Sequence, residues 1–346
     1  SWLSSTEVAA TRALVSGAGI RATSRNLKAE YKAAVYALTA TITEGGSQTV
    51  GNTGLQANNA VFRYSNNLMA PVTGLVSQVG VAYTGRNRAD PTGLLTTEGN
   101  QWAVEFDYYG QILEPYLYGA AGVKYWYWVD GAPLTAAPAA LTAVTTMAWV
   151  HIDFGSAAKR RIRIEGDGVN AAFNAVRSGS TVFVTAPDEA RPPVLGWVGD
   201  SYGDGRKATN EMTGFVRSLG RMLGLEAWQF PCAGGQGLVV GATHISRMST
   251  DLVPIPNLRA VVIQASINDA GGSWSGNVGP AAVAAVSFVK ANCPATAGNI
   301  AVVSPLAVLS LSTYQTMSNQ IRDALALAHP DVPYIDLITT PWVSGA

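Results

Sequence analysis

Hydrophobic positions change their spacing twice along the chain. Up to about residue 45 they recur with a helical period: Leu27, Tyr31, Ala34, Val35 and Leu38 form one stripe behind Ser24, a suitable N-cap, and Gly45-Gly46 closes the run. From about 50 to 188 the period drops to two. The segments WAVEFDYY, PYLYG, KYWYWV, WVHIDF, RRIRIEG and STVFVTA are short, aromatic and β-branched, with Gly, Pro or Asp-Gly between them. Asp130-Gly131 predicts a two-residue hairpin turn. Alternation through Tyr125, Trp126, Tyr127 and Trp128 sends one pair inward and the other outward, and Arg161-Ile162-Arg163-Ile164 reads as a solvated strand face. After a polar, proline-rich joint at Pro187–Pro193 the pattern becomes strand, helix, strand, helix, with continuous apolar strands at 194–198, 260–265, 299–304 and 332–337.

Strands without intervening helices predict a β-sandwich of jelly-roll type, and alternating strands and helices predict a parallel sheet covered on both faces. The expected organisation is a helical segment over 1–48, a β-sandwich over 49–189 and a three-layer α/β/α domain over 190–346. In the last domain one helix carries Met212, Phe215, Val216, Leu219, Met222 and Leu223 on one face, and others run near 279–291 and 313–328.

Composition narrows the function classes. The 346 residues are 48% hydrophobic and 13% charged, with 23 basic and 23 acidic side chains. That balance argues against a nucleic-acid or acidic-membrane binder, which needs a clustered cationic surface. No apolar run reaches the roughly 18 residues of a membrane span. Cys232 and Cys293 match no metal or redox spacing and read as small buried hydrophobes; no metal or cofactor is expected. A start at Ser1 without a leader reads as a mature or trimmed fragment.

Ligands of an open parallel sheet bind beyond the carboxyl ends of its strands. Three loops fall there: GDSYGDG (199–205), CAGGQG (232–237) and SIND (266–269). Each supplies a part that acyl transfer needs. Ser201 lies on a tight glycine-flanked turn able to project a hydroxyl, while backbone N–H groups and the Asn268 amide can hold an oxyanion.

These residues resemble the blocks of the SGNH (GDSL-like) hydrolase superfamily, over about 192–346. Gly199, Asp200 and Ser201 match its first block, which implies Ser201 as nucleophile. The glycine loop matches the second, with Gly235 as the oxyanion glycine and Gly234 the alternative. Ser266, Ile267, Asn268 and Asp269 match Gly-x-Asn-Asp, with Ser266 in place of the glycine, and imply Asn268 as an oxyanion donor. Asp200 and Asp269 are expected to organise their loops, and Tyr202 and Trp274 to line a groove for sugar. A jelly-roll-like domain ahead of such a fold is similar to carbohydrate esterases that remove O-acetyl groups. The implied partner is an acetylated polysaccharide, met outside the cell by a secreted enzyme or a virion tail. The Ala-rich start also resembles the trunk-side segment of a phage tailspike or tail fibre, which implies a homotrimer.

The family's closing Asp-x-x-His is missing. His151 falls in a predicted β-strand, His244 in a predicted helix past the second loop, and His329 just before the last strand. Six strand residues at about 3.3 Å each put His329 roughly 20 Å from the catalytic edge, whereas a general base must stand within about 3 Å of the serine. The chain runs nine residues beyond YIDL, so the catalytic Asp and His are expected after Ala346, and Asp336 is read as a strand-end residue. One rival is a dinucleotide site in GGQGLVVG, which has Val240 where the third glycine belongs and no suitable acid about 20 residues on. The stronger rival is a non-catalytic carbohydrate-binding or structural module with a degenerate hydrolase domain.

Overall fold

The computed structural model describes residues 40–44, 54–66, 68–71, 83–85, 101–119, 123–135, 137–141, 147–167, 171–177, 183–203, 214–229, 236–241, 243–271, 274–305 and 311–338. The expected helix behind Ser24, and Met212, Cys232, Gly234 and Gly235, lie outside these residues, except for the helix's last turns. The chain divides into two compact units, with the change at Arg191/Pro192.

The first unit is antiparallel. Its short leading strands are β1 (Thr41–Glu44), β2 (Leu55–Gln56), β3 (Arg63–Ser65), β4 (Met69–Pro71) and β5 (Tyr83–Gly85). Then come β6 (Trp102–Tyr118), β7 (Lys124–Val129), β8 (Ala132–Pro133), β9 (Ala139–Ala140), β10 (Met147–Asp167), β11 (Phe173–Arg177) and β12 (Phe183–Thr185). The long strands β6 and β10 pair along their lengths and change outer partners part-way. β6 meets β3 and β12 through its first half and β11 through its second; β10 meets β1 first and β7 later, across an irregularity at Asp153/Ala158. One face is apolar: Val104, Phe106 and Tyr108 of β6, Tyr125, Tyr127 and Val129 of β7, and Ile162 and Ile164 of β10 share one core.

The β1 strand corrects the sequence reading, which carried a helix through to Gly45. Thr41-Ile42-Thr43 is a β-branched run that loses side-chain freedom in a helix, and pairing with Val150–Asp153 gives it a ladder. The Asp130-Gly131 turn forms as expected: both residues have positive φ, 52° and 81°, as a type I′ turn requires, and Trp128 pairs with Pro133 across it. Trp126 and Trp128 do leave the core face, but they do not stand open. Trp126 is buried, its ring centroid lies 6.0 Å from that of Trp128, and the Trp128 indole N–H donates to Glu165 at 3.1 Å. Nor is the arginine face simply solvated. Arg163 and Arg63 both bind Glu105, and Arg161 binds Asp107.

The second unit is a parallel five-stranded sheet in the order β14–β13–β15–β16–β17, formed by β13 (Val194–Val198), β14 (Glu226–Gln229), β15 (Leu258–Gln264), β16 (Ile300–Val303) and β17 (Tyr334–Ile335). Among the described residues four helices connect them: α1 (Phe215–Leu223), α2 (His244–Asp251), α3 (Val278–Asn292) and α4 (Leu311–Ala328). Every residue of β13, β14 and β16 is buried, as a sheet covered on both faces demands. Val216, Leu219 and Leu223 of α1 pack on Leu195, Trp197 and Val262. The opposite face of β13 meets Leu252, which ends α2. The predicted six-residue last strand is only Tyr334–Ile335. Beyond it Asp336 accepts the Ile338 N–H and Ser304 takes the Leu337 N–H, so the chain turns instead of extending the ladder. Cys293 is buried with a free thiol. Among the described residues no helix is long and apolar enough to cross a membrane.

Candidate active site

Parallel strands deliver their carboxyl ends to one edge, so the loops after β13, β14 and β15 share it. Their hydrogen bonds tie them together. Asp200, in the first loop, is almost fully buried. Its Oδ1 accepts the Tyr202 N–H at 3.0 Å and the Gln264 side-chain amide at 3.4 Å; its Oδ2 accepts the Ser266 hydroxyl at 2.8 Å and the Ile267 N–H at 3.2 Å. The residue beside Ser201 is thereby joined to the residue beside Asn268. A further bond, from the Gly203 N–H to the Asp200 carbonyl at 3.0 Å, closes the turn that carries Ser201. Ser201 is half-buried and makes no hydrogen bond to another described residue.

Ser266, which stands where the resemblance expects a glycine, has a definite role: its hydroxyl donates to Asp200 and accepts the Asn268 N–H at 3.0 Å. The Asn268 amide reaches the second loop, donating from Nδ2 to the Gln236 carbonyl at 2.9 Å. Asp269 organises the same loop, accepting the N–H groups of Leu238, Val239 and Val240 at 3.0, 2.9 and 3.2 Å. Gly237 leaves room for this carboxylate; a Cβ there would lie 2.3 Å from Asp269 Oδ1. The loop that the dinucleotide reading used is therefore wrapped around an internal carboxylate, whose charge occupies the N–H groups a phosphate would need.

Burial is the main influence on both aspartates. It pushes their carboxyl groups above the ordinary range, and the surrounding hydroxyl and N–H donors offset it only in part. Tyr314, from α4, comes close enough to Tyr202 and Asp200 to feel their charge, and its phenol is raised chiefly by burial.

None of the three histidines hydrogen-bonds Ser201. His244 opens α2 fully buried, with Nε2 at 2.9 Å from the Gln264 carbonyl; burial first, then the Arg247 charge, pushes it down to about 3. The shortened β17 removes the strand length used to place His329, but its bonds locate it: Nε2 lies 2.9 Å from Ser287 Oγ and Nδ1 3.4 Å from Lys290 Nζ, both on α3. His151 belongs to the antiparallel unit, 2.9 Å from Glu114.

Sequence reading missed Gln236, Gln264, Tyr314 and above all Arg247, a fully buried guanidinium. A signal for it exists. His244, Arg247, Met248 and Asp251 are the buried residues of α2, at i, i+3, i+4 and i+7, so polar residues occupy a core stripe. Among the described residues no cluster of His, Cys, Asp and Glu has the geometry to hold a metal.

No protein-family model matches the chain, and no curated sequence does. Solved structures do. The salicylyl-acyltransferase SsfX3 from a tetracycline biosynthetic pathway matches with TM-score 0.61 and 16% identity, over 82% of this chain and 85% of that one. A family two carbohydrate esterase from Cellvibrio japonicus matches with TM-score 0.56 and 13% identity, over 86% and 89%. A family two carbohydrate esterase from Clostridium thermocellum, in complex with cellohexaose, matches with TM-score 0.52 and 16% identity, over 69% and 82%. At these identities the likeness is one of fold, and the fold is that of carbohydrate esterases and an acyltransferase.

Proposed function

We propose that this chain is a serine esterase of SGNH type that removes O-acyl groups, acetyl foremost, from a polysaccharide. One observation carries the reading. Three loops from three strands are hydrogen-bonded to one another, Asp200 to Ser266 and Ile267 and Asn268 to Gln236, around the turn that presents Ser201. The neighbouring esterases, one of them holding cellohexaose, support the sugar-linked substrate.

In this mechanism Ser201 Oγ attacks the acyl carbonyl as a general base takes its proton. The oxyanion is held by the Ser201 N–H, the Gly235 N–H and the Asn268 amide; collapse expels the sugar oxygen, which receives the proton. Water then repeats the sequence on the acyl-enzyme and frees the acid. An alcohol in place of water would make the same intermediate an acyl donor, and one structural neighbour is named an acyltransferase. None of His151, His244 and His329 is bonded to Ser201, so none is assigned as the general base. The setting that fits such a substrate is extracellular, on a secreted enzyme or a trimeric virion fibre.

Hydrolysis of a chromogenic acetate and covalent labelling by a fluorophosphonate test the reading on wild type and Ser201→Ala. Activity and labelling present in wild type and lost in the variant support it. Equal background from both proteins sinks it. The lack of a histidine bonded to Ser201 favours one second reading, a carbohydrate-binding module, which predicts that equal background together with retained polysaccharide binding.

A further inference from the structure

We propose that Arg247 is the positioning residue of this site: one buried guanidinium sets both the Ser201 turn and the Asn268 amide. The inference rests on the proposed roles of those two residues. Its basis is geometric. Arg247 is completely buried, and burying a cation is costly unless its fork finds acceptors. Nη1 donates to the Gln236 side-chain oxygen and, at 3.5 Å, to the Gly199 carbonyl, while Nε lies 3.7 Å from Asp251 one turn along α2.

These acceptors lie in different loops. Gly199 is two residues ahead of Ser201 on the turn that Asp200 closes. Gln236 is gripped at both ends, its side chain by Arg247 and its main-chain oxygen by Asn268 Nδ2 at 2.9 Å. Any movement of the guanidinium is therefore passed to the proposed oxyanion donor through one residue. It reaches the nucleophile through another. α2 itself is anchored to the same edge by the His244 N–H on the Gly237 carbonyl and the His244 ring on the Gln264 carbonyl. Nη1 serves both loops while Nε faces Asp251, a spread over two nitrogens that a lysine's single ammonium cannot reproduce, so the role belongs to arginine.

A residue acting through Asn268 and one merely filling the core differ in a double-mutant cycle. The test measures fluorophosphonate labelling of Ser201, and kcat and KM for a chromogenic acetate, in the full chain bearing Arg247→Met, Arg247→Lys, Asn268→Ala and the Arg247→Met/Asn268→Ala pair. Arg247→Met is expected to slow labelling about 100-fold, the scale of an ångström-sized misplacement. It is expected to lower kcat with KM within about twofold, because the misplaced donors serve the transition state alone. Arg247→Lys should fail to rescue, and the pair should be no slower than its slower single variant. Losses that multiply in the pair overturn the proposal, as does labelling of Arg247→Met at the wild-type rate. Should Arg247→Met not fold by circular dichroism, Gln236→Leu replaces it in the same cycle and is judged by the same outcomes. Wild type that is never labelled at Ser201 removes the serine reading and this inference together; labelled wild type with an indifferent Arg247→Met removes only this inference.

Discussion

The half-buried Glu105 of the antiparallel unit and the buried Asp200 and Asp269 of the parallel unit are held by opposite means. On the antiparallel sheet Glu105 lies between Arg63 and Arg163, with Arg163 Nη1 at 2.9 Å. Burial pushes its carboxyl up, but the charges of Arg163 and Arg63 outweigh it and leave the group below its ordinary range. At the edge of the parallel sheet Asp200 and Asp269 accept only N–H and hydroxyl donors, and burial leaves both above theirs. Ion pairs across strands tie one sheet face together and keep the charged form favourable. Dipoles gathered around a lone carboxylate hold loops in place instead, and the ionised form is held at an energetic disadvantage. The first arrangement suits a framework. The second suits a site, where loop geometry matters more than stability.

Removing the Asp269 carboxylate should break this contrast most severely. Asp269→Ala leaves three backbone N–H groups without their acceptor, and we expect the parallel unit to lose about 3–5 kcal/mol in urea denaturation along with its fluorophosphonate labelling. The antiparallel unit's transition should stay in place; a joint shift of both would show that the units do not differ in this way. Asp200→Asn comes next, at about 2–3 kcal/mol, because its new amide N–H₂ must face donors from Ser266, Ile267, Tyr202 or Gln264.

Glu105→Gln should cost less, about 1–2 kcal/mol at pH 7, since the pairs are partly reached by water. The sign of its pH dependence follows from the lowered carboxyl. The stability is present above the unfolded value of about 4.3 and lost as pH falls through the folded one. The Tm gap between wild type and this variant should therefore close on acidification. For Asp200 and Asp269 the sign reverses. The protonation-linked part of their stability is complete below the unfolded value of about 3.9 and is lost as pH rises through their raised folded values, while their acceptance of N–H and hydroxyl donors persists. Calorimetry on Asp200→Asn should show its deficit growing on acidification toward pH 4, and a constant deficit would refute the assignment. A comparable effect, about 1–2 kcal/mol, is expected of Gly131→Ala. Its φ of 81° strains any L side chain, although nothing lies within 4 Å of the added methyl. Labelling of Ser201 should be untouched.

Local pattern made much of this legible. Period-two runs marked the long strands, continuous apolar runs marked β13, β15 and β16, and the polar residues directly after them marked the edge where the loops meet. The Gly-Asp-Ser and Ser-Ile-Asn-Asp segments were readable because each is contiguous. Gln236, Gln264 and Arg247 were not. Each acts on a loop that precedes or follows it by many residues, and nothing in its own neighbourhood reveals the target. Thr41–Glu44 was misread for a related reason, since its strand exists through a partner more than a hundred residues away.

By itself, then, the sequence determined the alternation of sheet faces, the positive-φ turn at Asp130-Gly131 and the chemical inventory of the three edge loops. These depend on stereochemistry within a few residues. Only the tertiary structure decided that Glu105 would meet two arginines, that the tryptophan pair of β7 would be covered, and that a guanidinium from α2 would lie under the serine turn. Such contacts arise between segments distant in sequence, where burial and hydrogen-bond satisfaction choose partners that no local period encodes.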